Sequence, residues 1–510
     1  PPPPPRPPAP PAPPPPPTAA RNEVVFEVWL DEVLVLRHPQ AIGDGASCAW
    51  HRRALPPEPR ADARLRFRLA GPPVNAAFLL PAIGPAEDGP AAPSSEKFHP
   101  PSIVLFLADT FRADNLSLYG GDPATAPFLN DLAGRSARFR RAWSPSAWTL
   151  PAQATMLTGL YPGQHGATRR GLGLPAEATT IAELLGRHGY RTAAVTDSGF
   201  ISRSFGFDQG FQFFHERRDW DLRATLAEAK ELLQAAEGRP TFLFVQTYRT
   251  HTPYRIGEDE DRAPVRALLA DVRTHCTEWG GDGTLSVLEA ATRLERIYRE
   301  GARALDAGLG AWFRDLQADG TLANAVFLFT SDHGEEFWEH GEVGHGGTHW
   351  EERIRIPLLA HGPGLAPRDI WSAATLADLP RTIAGLAGFP VPGNWEGRDL
   401  LAELEDRSVL SFEYQAQQER VTILRDGHKV FGPADEAALR AGTFHVAFDL
   451  ATDPAEVRPI LAPGEAPWPA ELCRGEAARI GRLLRPVAAS PAVELGVEQE
   501  QHLRDIGYGP

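Results

Sequence analysis

This sequence of 510 residues has few cysteines, no excess of positive charge and no long apolar runs. The three cysteines, Cys48, Cys276 and Cys473, cannot build a disulfide framework, although one bridge is open to them. The formal net charge of -15 argues against nucleic-acid binding as the main activity, because such binders carry a basic surface. No apolar run approaches the roughly 20 residues that a membrane-spanning helix needs, so no transmembrane segment is predicted in this chain.

The N-terminal part of the sequence divides into two segments without a catalytic cluster. Residues 1–21 are dominated by proline and predict a stiff, solvated polyproline-type linker. Residues 22–98 contain runs with a period of two, at 24–30 and 64–69, separated by turn-forming residues. This second segment therefore predicts a small β-rich accessory domain.

The largest part of the sequence, residues 99–405, alternates short apolar runs with helical stretches. The alternation predicts an α/β domain with a mostly parallel sheet covered by helices on both faces. Predicted strands are 102–108, 191–196, 241–248, 325–330 and 356–360, and predicted helices are 150–158, 179–188, 222–237, 285–316 and 374–387. Residues 406–510 predict a C-terminal subdomain, with antiparallel strands at 408–412, 421–424 and 444–448 and a helix at 470–484.

Four polar residues lie just after predicted strands or at the start of a predicted helix. Asp109 follows the run 102–108, and Asp332 and His333 follow the run 325–331. Thr149 opens the helix 150–158, where a role as the N-cap is the structural alternative to a chemical one. Since open α/β sheets carry their chemistry at the carboxyl ends of strands, we expect these side chains to meet. Together they can hold a divalent cation and direct a nucleophile at an ester.

Several segments between residues 101 and 405 resemble, in order and spacing, the sulfatase branch of the alkaline phosphatase superfamily. They include LFLADTFRADNLSLYG, WTLPAQATMLTGLYPGQHG, HTPY and FTSDHGEEFWEHGEVGHGG. Each segment alone is a weak signal, and their joint occurrence is specific. The resemblance implies an alkaline-phosphatase-like fold with a small C-terminal antiparallel sheet, and an ester hydrolase that depends on a metal.

The resemblance also implies a metal site and a nucleophile. The metal ligands it implies are Asp109, Thr149, Asp332 and His333, and Thr149 is the implied nucleophile. An imidazole ligand suits zinc or manganese better than calcium. Zn or Mn is therefore the favoured cofactor, with Ca or Mg as the alternative.

Two further histidines lie in segments that match the family. His251, in the segment HTPY, corresponds to a position that contacts the substrate and helps protonate the leaving group. His345, in the segment GHGG, corresponds to a position near the transferring group. An imidazole can stabilise developing charge or act as a general acid near neutral pH. Both histidines are therefore predicted to be catalytic.

The sequence departs from the sulfatase pattern at the nucleophile. Sulfatases that carry formylglycine have Cys or Ser in a C/S-x-P-x-R frame, whereas residues 149–153 read TLPAQ. No cysteine of this chain falls in such a frame, so formylglycine is not expected. A second aspartate common after the first ligand is replaced by Thr110, and the sulfate-holding lysine is absent. A plain threonine ester must be cleaved by water or passed to an acceptor, which favours phosphate or phosphonate esters over sulfate esters.

The sequence therefore predicts a metal-dependent hydrolase of phosphate, phosphonate or sulfate esters that uses a covalent Thr149 intermediate. A sulfatase proper, an envelope phosphotransferase and an inactive binding protein on the same fold are the alternatives. We expect a small anionic ester, or an ester linked to a glycan or lipid, as the substrate, and no nucleic acid. The resemblance implies a secreted or cell-envelope, periplasmic location, and no pattern indicates the oligomeric state.

Overall fold

A computed structural model describes most of the chain beyond residue 99. The described residues there are 100–236, 238–254, 265, 267–269, 283–402, 405–414 and 419–508, and in the N-terminal part the backbone of 23–30, 33–41 and 65–70. Two compact units are present, Pro1–His99 and Pro100–Pro510. The predicted proline-rich linker at 1–21, Cys48 and Cys276 lie outside the described residues.

The N-terminal unit contains a three-stranded antiparallel sheet in the order β2-β1-β3. Its strands are β1 Glu23–Leu30, β2 Val33–Ala41 and β3 Leu65–Ala70. The runs with a period of two at 24–30 and 64–69 correspond to β1 and β3. The expected N-terminal β structure is thus present, and its accessory role stays a prediction.

The second unit is built around an eight-stranded sheet in the order β14-β5-β13-β10-β4-β9-β7-β8. The strands of the unit's first part, in chain order, are β4 Ser102–Ala108, β5 Ala137–Phe139, β6 Ala142–Trp143, β7 Arg191–Thr196, β8 Phe213–Glu216, β9 Thr241–Thr247, β10 Ala325–Thr330, β11 Glu336–Phe337, β12 Val343–Gly344, β13 Leu358–His361, β14 Arg368–Ile370 and β15 Ala374–Thr375. The neighbours β10, β4, β9, β7 and β8 all run parallel. Strand β13 pairs antiparallel with both β10 and β5, so the sheet is mixed and mostly parallel.

Helices cover the sheet on both faces, as the alternating sequence pattern predicts. They are α1 Pro127–Gly134, α2 Thr149–Thr158, α3 Pro162–His165, α4 Ile181–Arg187, α5 Leu222–Gln234, α6 Gly283–Ala318, α7 Glu351–Ile354 and α8 Leu379–Ala387. Along β4, Ile103 and Leu105 pack in one core with residues of α2, α4 and α8. Val104 and Phe106 pack in a second core with residues of α1, α5 and α6. Both faces of β4 are therefore buried, which explains its uninterrupted apolar sequence.

Most predicted boundaries agree with the structure to within a few residues. The strands at 102–108, 191–196 and 325–330 match β4, β7 and β10. The predicted helix at 374–387 begins only at Leu379, because Ala374–Thr375 pairs with β6 and Leu376–Asp378 forms a 3-10 turn. The long helix predicted at 285–316 is α6.

The C-terminal part forms an antiparallel sheet in the order β16-β17-β18-β19. Its elements are β16 Val409–Glu413, β17 Arg420–Arg425, β18 His428–Pro433, β19 Val446–Asp449, α9 Glu436–Arg440, α10 Trp468–Leu483 and α11 Val497–Asp505. The predicted C-terminal sheet is confirmed, and β18 is a strand that was not predicted. Cys473 of α10 is a buried free thiol. Among the described residues, no helix combines the length and the apolar character that crossing a bilayer requires.

Candidate active site

The predicted ligands directly follow the carboxyl ends of adjacent strands in the main sheet. Asp109 directly follows β4, and Asp332 and His333 follow its parallel neighbour β10. His251 follows β9, which pairs with β4 on the other side. The backbone amide of Thr110 donates to Asp332 Oδ1 at 3.3 Å, which ties the two strand ends together. The parallel arrangement alone thus brings the residues to a common site.

Thr149 reaches this site from the first position of α2. Trp148 is the N-cap residue of the helix, so the N-cap alternative for Thr149 is wrong by one position. Thr149 Oγ1 lies 3.4 Å from Asp109 Oδ2 and 3.3 Å from His333 Nε2. The side chain is fully buried. Its position at a helix N-terminus favours negative charge on the hydroxyl and on an approaching anionic ester.

Three of the predicted ligands have the spacing that a metal site requires. Ligand atoms of Asp109, Asp332 and His333 all lie within 4.8 Å of one another. Asp109 Oδ1 is buried and has no hydrogen-bond partner, and burial together with the neighbouring Asp332 raises the pKa of Asp109 well above its usual range. His333 Nδ1 donates to Gly334 O at 2.9 Å, which leaves the Nε2 lone pair facing the carboxylates. Two carboxylates, an imidazole and a hydroxyl therefore fit a divalent cation.

The two catalytic histidines predicted from the sequence lie side by side, with ring centroids 4.8 Å apart. His251 Nδ1 donates to Thr252 O at 2.6 Å, and burial together with His345 lowers the pKa of His251 to about 3. His345 Nδ1 instead contacts the carboxylate of Glu335 at 2.9 Å. The Nε2 atoms of both rings point toward the same part of the site. Of the two histidines, only His345 has a carboxylate at its Nδ1.

Tyr508, near the C-terminus, is a site residue that the sequence analysis did not identify. Its hydroxyl lies 3.0 Å from Thr149 Oγ1, 2.9 Å from His345 Nε2 and 3.3 Å from His251 Nε2. Glu335 was also missed, although it follows His333 by only two residues. The proximity of Glu335 to a predicted ligand was a usable signal, whereas no periodicity connects Tyr508 to the site.

The site geometry agrees with the comparison to known families. The family model described as Sulfatase matches residues 101–389, which is more than half of the 510 residues. The chain belongs to the sulfatase family. Human arylsulfatase A is similar to this sulfatase-family protein, with 28% identity over 346 residues that cover 59% of this chain and 67% of that protein. The protein is therefore an ester hydrolase of the sulfatase superfamily.

Two solved structures show the same fold. A phosphonate monoester hydrolase of Agrobacterium radiobacter has a TM-score of 0.57 and 20% identity, and covers 75% of this chain and 95% of its own. A structure in complex with its substrate D-glucosamine-2-N,6-O-disulfate has a TM-score of 0.58 and 17% identity, and covers 79% of this chain and 98% of its own. The fold of this sulfatase-family protein thus occurs in proteins with different ester substrates.

Two positions where this sulfatase-family protein departs from the family pattern have clear places in the structure. Thr110 Oγ1 donates to Thr250 O at 2.7 Å. Its hydroxyl is therefore not directed at the carboxylates of Asp109 and Asp332. Gln153 Nε2 donates to Asp109 Oδ2 at 3.1 Å and to Asp332 Oδ2 at 2.8 Å. Since Gln153 lies four residues after Thr149, both face the same side of α2. The helical spacing was therefore a signal that could have placed Gln153 in the site.

His340, Glu352 and Glu456 form a second cluster whose ligand atoms have the spacing of a metal site. The carboxylates of this cluster already have cationic or potentially cationic side chains as partners. The buried ammonium of Lys429 lies 2.8 Å from Glu456 Oε1 and 3.2 Å from Glu351 Oε1. His340 Nε2 lies 3.5 Å from Glu352 Oε2. These side chains form an ion-pair network between the catalytic part of the sulfatase-family protein and its C-terminal sheet, and we assign them no metal.

Proposed function

We propose that this protein is a metal-dependent hydrolase that cleaves phosphate or phosphonate esters through a covalent Thr149 intermediate. The supporting observation is the position of Thr149 Oγ1, within 3.4 Å of both Asp109 Oδ2 and His333 Nε2 at the start of α2. A threonine cannot be converted to formylglycine, and Gln153 stands where the conversion frame has arginine. The nucleophile must therefore act as a plain hydroxyl, in the way that phosphothreonine-forming enzymes do.

The residues that would hold the cation are Asp109, Asp332 and His333, together with the hydroxyl of Thr149 that contacts two of them. A bound divalent cation lowers the pKa of a coordinated hydroxyl and neutralises charge on the transferring group. The imidazole favours Zn or Mn, with Ca or Mg as the alternative. The unpartnered Asp109 Oδ1 supports this assignment, because a buried carboxylate oxygen without a donor is costly.

The residues around Thr149 have different roles in proton transfer. Thr149 loses its hydroxyl proton to solvent, and its Oγ attacks phosphorus and forms the new oxygen–phosphorus bond while the bond from phosphorus to the leaving alkoxide breaks. His345 gives a proton to that alkoxide, because the carboxylate of Glu335 stabilises its imidazolium form. Burial keeps His251 neutral, with its Nδ1 proton on Thr252 O and its Nε2 as an acceptor. Water then attacks phosphorus and gives a proton back to His345, while the threonine oxygen leaves and takes up a proton from solvent, so that phosphate or phosphonate is released and the hydroxyl is restored.

Sulfate ester hydrolysis is the second candidate function. It is favoured by the sulfatase family model and by the similarity to arylsulfatase A. The substrate complex with a disulfated glucosamine supports a glycan-linked anionic ester as one substrate class for this fold. We propose a small anionic ester or a glycan- or lipid-linked ester as the substrate, and a secreted or envelope location for the protein.

Replacement of the nucleophile tests the proposed function. Matched 4-nitrophenyl phosphate, phenylphosphonate and sulfate are assayed with wild type, Thr149→Ala, Thr149→Ser and Thr158→Ala. Thr158 lies on the same helix, and its hydroxyl donates to Ala154 O, so its variant controls for loss of a helical threonine. We expect Thr149→Ala to lose at least about 1,000-fold in turnover, and both other variants to retain activity.

The substrate panel separates the two candidate functions. Phosphorus-ester turnover that depends on Thr149, with a phosphothreonine trapped at low pH and found by peptide mass spectrometry, supports the first. Sulfate turnover that depends on Thr149 supports the second. Undiminished turnover by Thr149→Ala would show that the covalent mechanism is wrong.

A further inference from the structure

The C-terminal segment is firmly anchored against the catalytic core. In α11 and the residue after it, Leu503 and Ile506 are fully buried in the core that also contains α2. The amide of Gln499 donates to Gly199 O at 2.8 Å, and His502 Nε2 donates to Asp197 O at 3.1 Å. Burial of two large apolar side chains is worth several kcal/mol, on the order of 1.5–3 kcal/mol for each. The segment is thus an integral part of this unit.

The end of α11 fixes the backbone that carries Tyr508. Tyr508 N donates to Leu503 O at 2.9 Å, and Gly507 N donates to Arg504 O at 3.0 Å. With Gly507 at a φ of +90°, these two bonds form a Schellman cap. The ring of Tyr508 packs edge-on against Phe200, with centroids 4.7 Å apart. Backbone and ring together aim the hydroxyl at the centre of the site.

We infer that Tyr508 is a further catalytic residue, whose hydroxyl donates a hydrogen bond to the transferring group of the substrate. The inference rests on the proposed function, because it takes Thr149 as the nucleophile. The phenol oxygen is 3.0 Å from Thr149 Oγ1 and 2.9 Å from His345 Nε2. A reacting atom must approach a nucleophile to about 3–3.5 Å. The hydroxyl therefore lies beside the place where the ester must react.

The chemistry of the neighbouring groups explains why a donor is needed there. Asp109 and His333, the other described contacts of Thr149 Oγ1, present a carboxylate oxygen and an Nε2 lone pair. His251 Nε2 is likewise an acceptor. A phosphate or phosphonate group brings further acceptor oxygens into this site. The neutral phenol of Tyr508 can donate its proton to a non-bridging oxygen, while His345 beside it serves the leaving oxygen.

In the proposed role, the Tyr508 side chain has to rotate when the substrate binds, because its hydroxyl lies 2.9 Å from His345 Nε2 and 3.3 Å from His251 Nε2. The phenol oxygen now makes contacts with His345 and His251 that the leaving oxygen of a substrate would take over. Rotation of the tyrosine side chain frees this place, while the Schellman cap keeps the backbone fixed. In this proposal the rotated hydroxyl donates its hydrogen bond to a non-bridging oxygen of the transferring group.

Vanadate binding by calorimetry tests the inference without the need for turnover. The variants are Tyr508→Phe, Gly507→Ala and, as a matched control, Tyr190→Phe. Tyr190 donates its hydroxyl to Pro101 O beside the start of β4, at the opposite end of the sheet from the site. We expect Tyr508→Phe to weaken vanadate binding about tenfold to a hundredfold, the range for a lost hydrogen bond to a charged group, and to lower kcat more than it raises KM. The control should bind vanadate like wild type.

Gly507→Ala provides a second variant that leaves the hydroxyl in place. At a φ of +90° an alanine is strained, and its Cβ would lie 3.2 Å from Thr252 Cγ2. The variant should therefore misplace Tyr508 and weaken vanadate binding as well. Unchanged melting temperature of Tyr508→Phe excludes a general folding defect as the cause.

The outcomes distinguish this inference from the proposed function. Vanadate binding by Tyr508→Phe that equals or exceeds that of wild type would overturn the inference, and tighter binding would identify Tyr508 as a plug. Weakened vanadate binding by Tyr508→Phe, together with full turnover by Thr149→Ala, would overturn only the covalent mechanism. A wild-type protein that binds no vanadate would overturn the inference, whereas the turnover of Thr149→Ala alone decides the proposed function.

Discussion

Glu335 holds His345 by a 2.9 Å hydrogen bond from Nδ1 to Oε1, deep in the active site. The Glu335 side chain is fully buried, and that burial raises the pKa of its carboxyl. The bond fixes the ring so that Nε2 faces the hydroxyl of Tyr508, which in turn contacts Thr149. A carboxylate at Nδ1 also stabilises the protonated ring. This relationship, which His251 lacks, is why we propose His345 rather than His251 as the general acid.

Removing the charge of Glu335 should impair leaving-group protonation. In Glu335→Gln the amide oxygen can still accept from His345 Nδ1, so the ring orientation is kept and only the carboxylate is lost. We expect kcat for alkyl phosphate esters to fall about 100-fold. Turnover of 4-nitrophenyl esters should fall much less, because nitrophenolate leaves without a proton. Steady-state kinetics with both ester types measures the difference.

Glu352→Gln is the matched control for this prediction, because Glu352 pairs with His340 outside the site. It should leave both ester types unaffected. An equal loss for alkyl and nitrophenyl esters in Glu335→Gln would contradict the assignment of His345 as the acid.

Replacement of Asp109 should largely abolish the stabilisation of the protein by metal. In wild type, a divalent cation at 100 times its dissociation constant adds about 3 kcal/mol to the free energy of unfolding. In Asp109→Asn that gain should largely disappear. With chelator present, however, Asp109→Asn should melt above wild type, because ionised Asp109 lies buried beside Asp332 and its pKa is raised. Melting curves with chelator and with added Zn or Mn, together with elemental analysis, measure both effects.

Asp306→Asn is the control for the metal prediction. Asp306 is another buried aspartate, and it accepts hydrogen bonds from the backbone of Phe128 and Leu129 at the start of α1. Its variant should keep a wild-type metal content. If Asp109→Asn bound as much metal as Asp306→Asn, the proposed ligand set would be wrong.

Lys429 should be essential for stability although it lies outside the active site. Its buried ammonium contacts Glu351 at 3.2 Å and Glu456 at 2.8 Å. Lys429→Met leaves these carboxylates without their cation, and we expect a loss of about 3–5 kcal/mol in the free energy of unfolding at neutral pH. Urea titrations of wild type, Lys429→Met and Lys230→Met measure it. Lys230 pairs with Asp315 and Asp319 on the surface, so its variant should be nearly neutral, and equal losses would contradict the prediction.

The positions of the predicted ligands were readable because each directly follows a buried strand. The runs before Asp109 and Asp332 are apolar without interruption, as strands covered on both faces must be. Parallel strands end at the same edge of a sheet, so sequence position gave spatial position. The direction of β13 was not readable, because an apolar run has the same pattern in a parallel and an antiparallel strand.

The remaining site residues depend on contacts that no local pattern encodes. Tyr508 is separated from Thr149 by 359 positions, and it reaches the site only because Leu503 and Ile506 anchor the end of the chain. Gln153 is the exception, because its spacing of four residues from Thr149 on a predicted helix was enough to place it in the site.

Asp197 should make stability depend on pH between about 4 and 6. It is fully buried, accepts hydrogen bonds from Thr247 Oγ1 and Tyr248 N at 2.8 Å, and burial raises its pKa from 3.8 to about 6. Because the folded-state pKa is the higher one, the contribution of this group to stability is complete below pH 4 and is lost as the pH rises through 6. A shift of this size corresponds to about 3 kcal/mol. Urea titrations at several pH values should therefore show Asp197→Asn gaining on wild type by that amount between pH 4 and 7. The exposed Asp131→Asn variant should follow wild type throughout, and a pH-independent difference for Asp197→Asn would mean that the buried carboxyl does not titrate in this range.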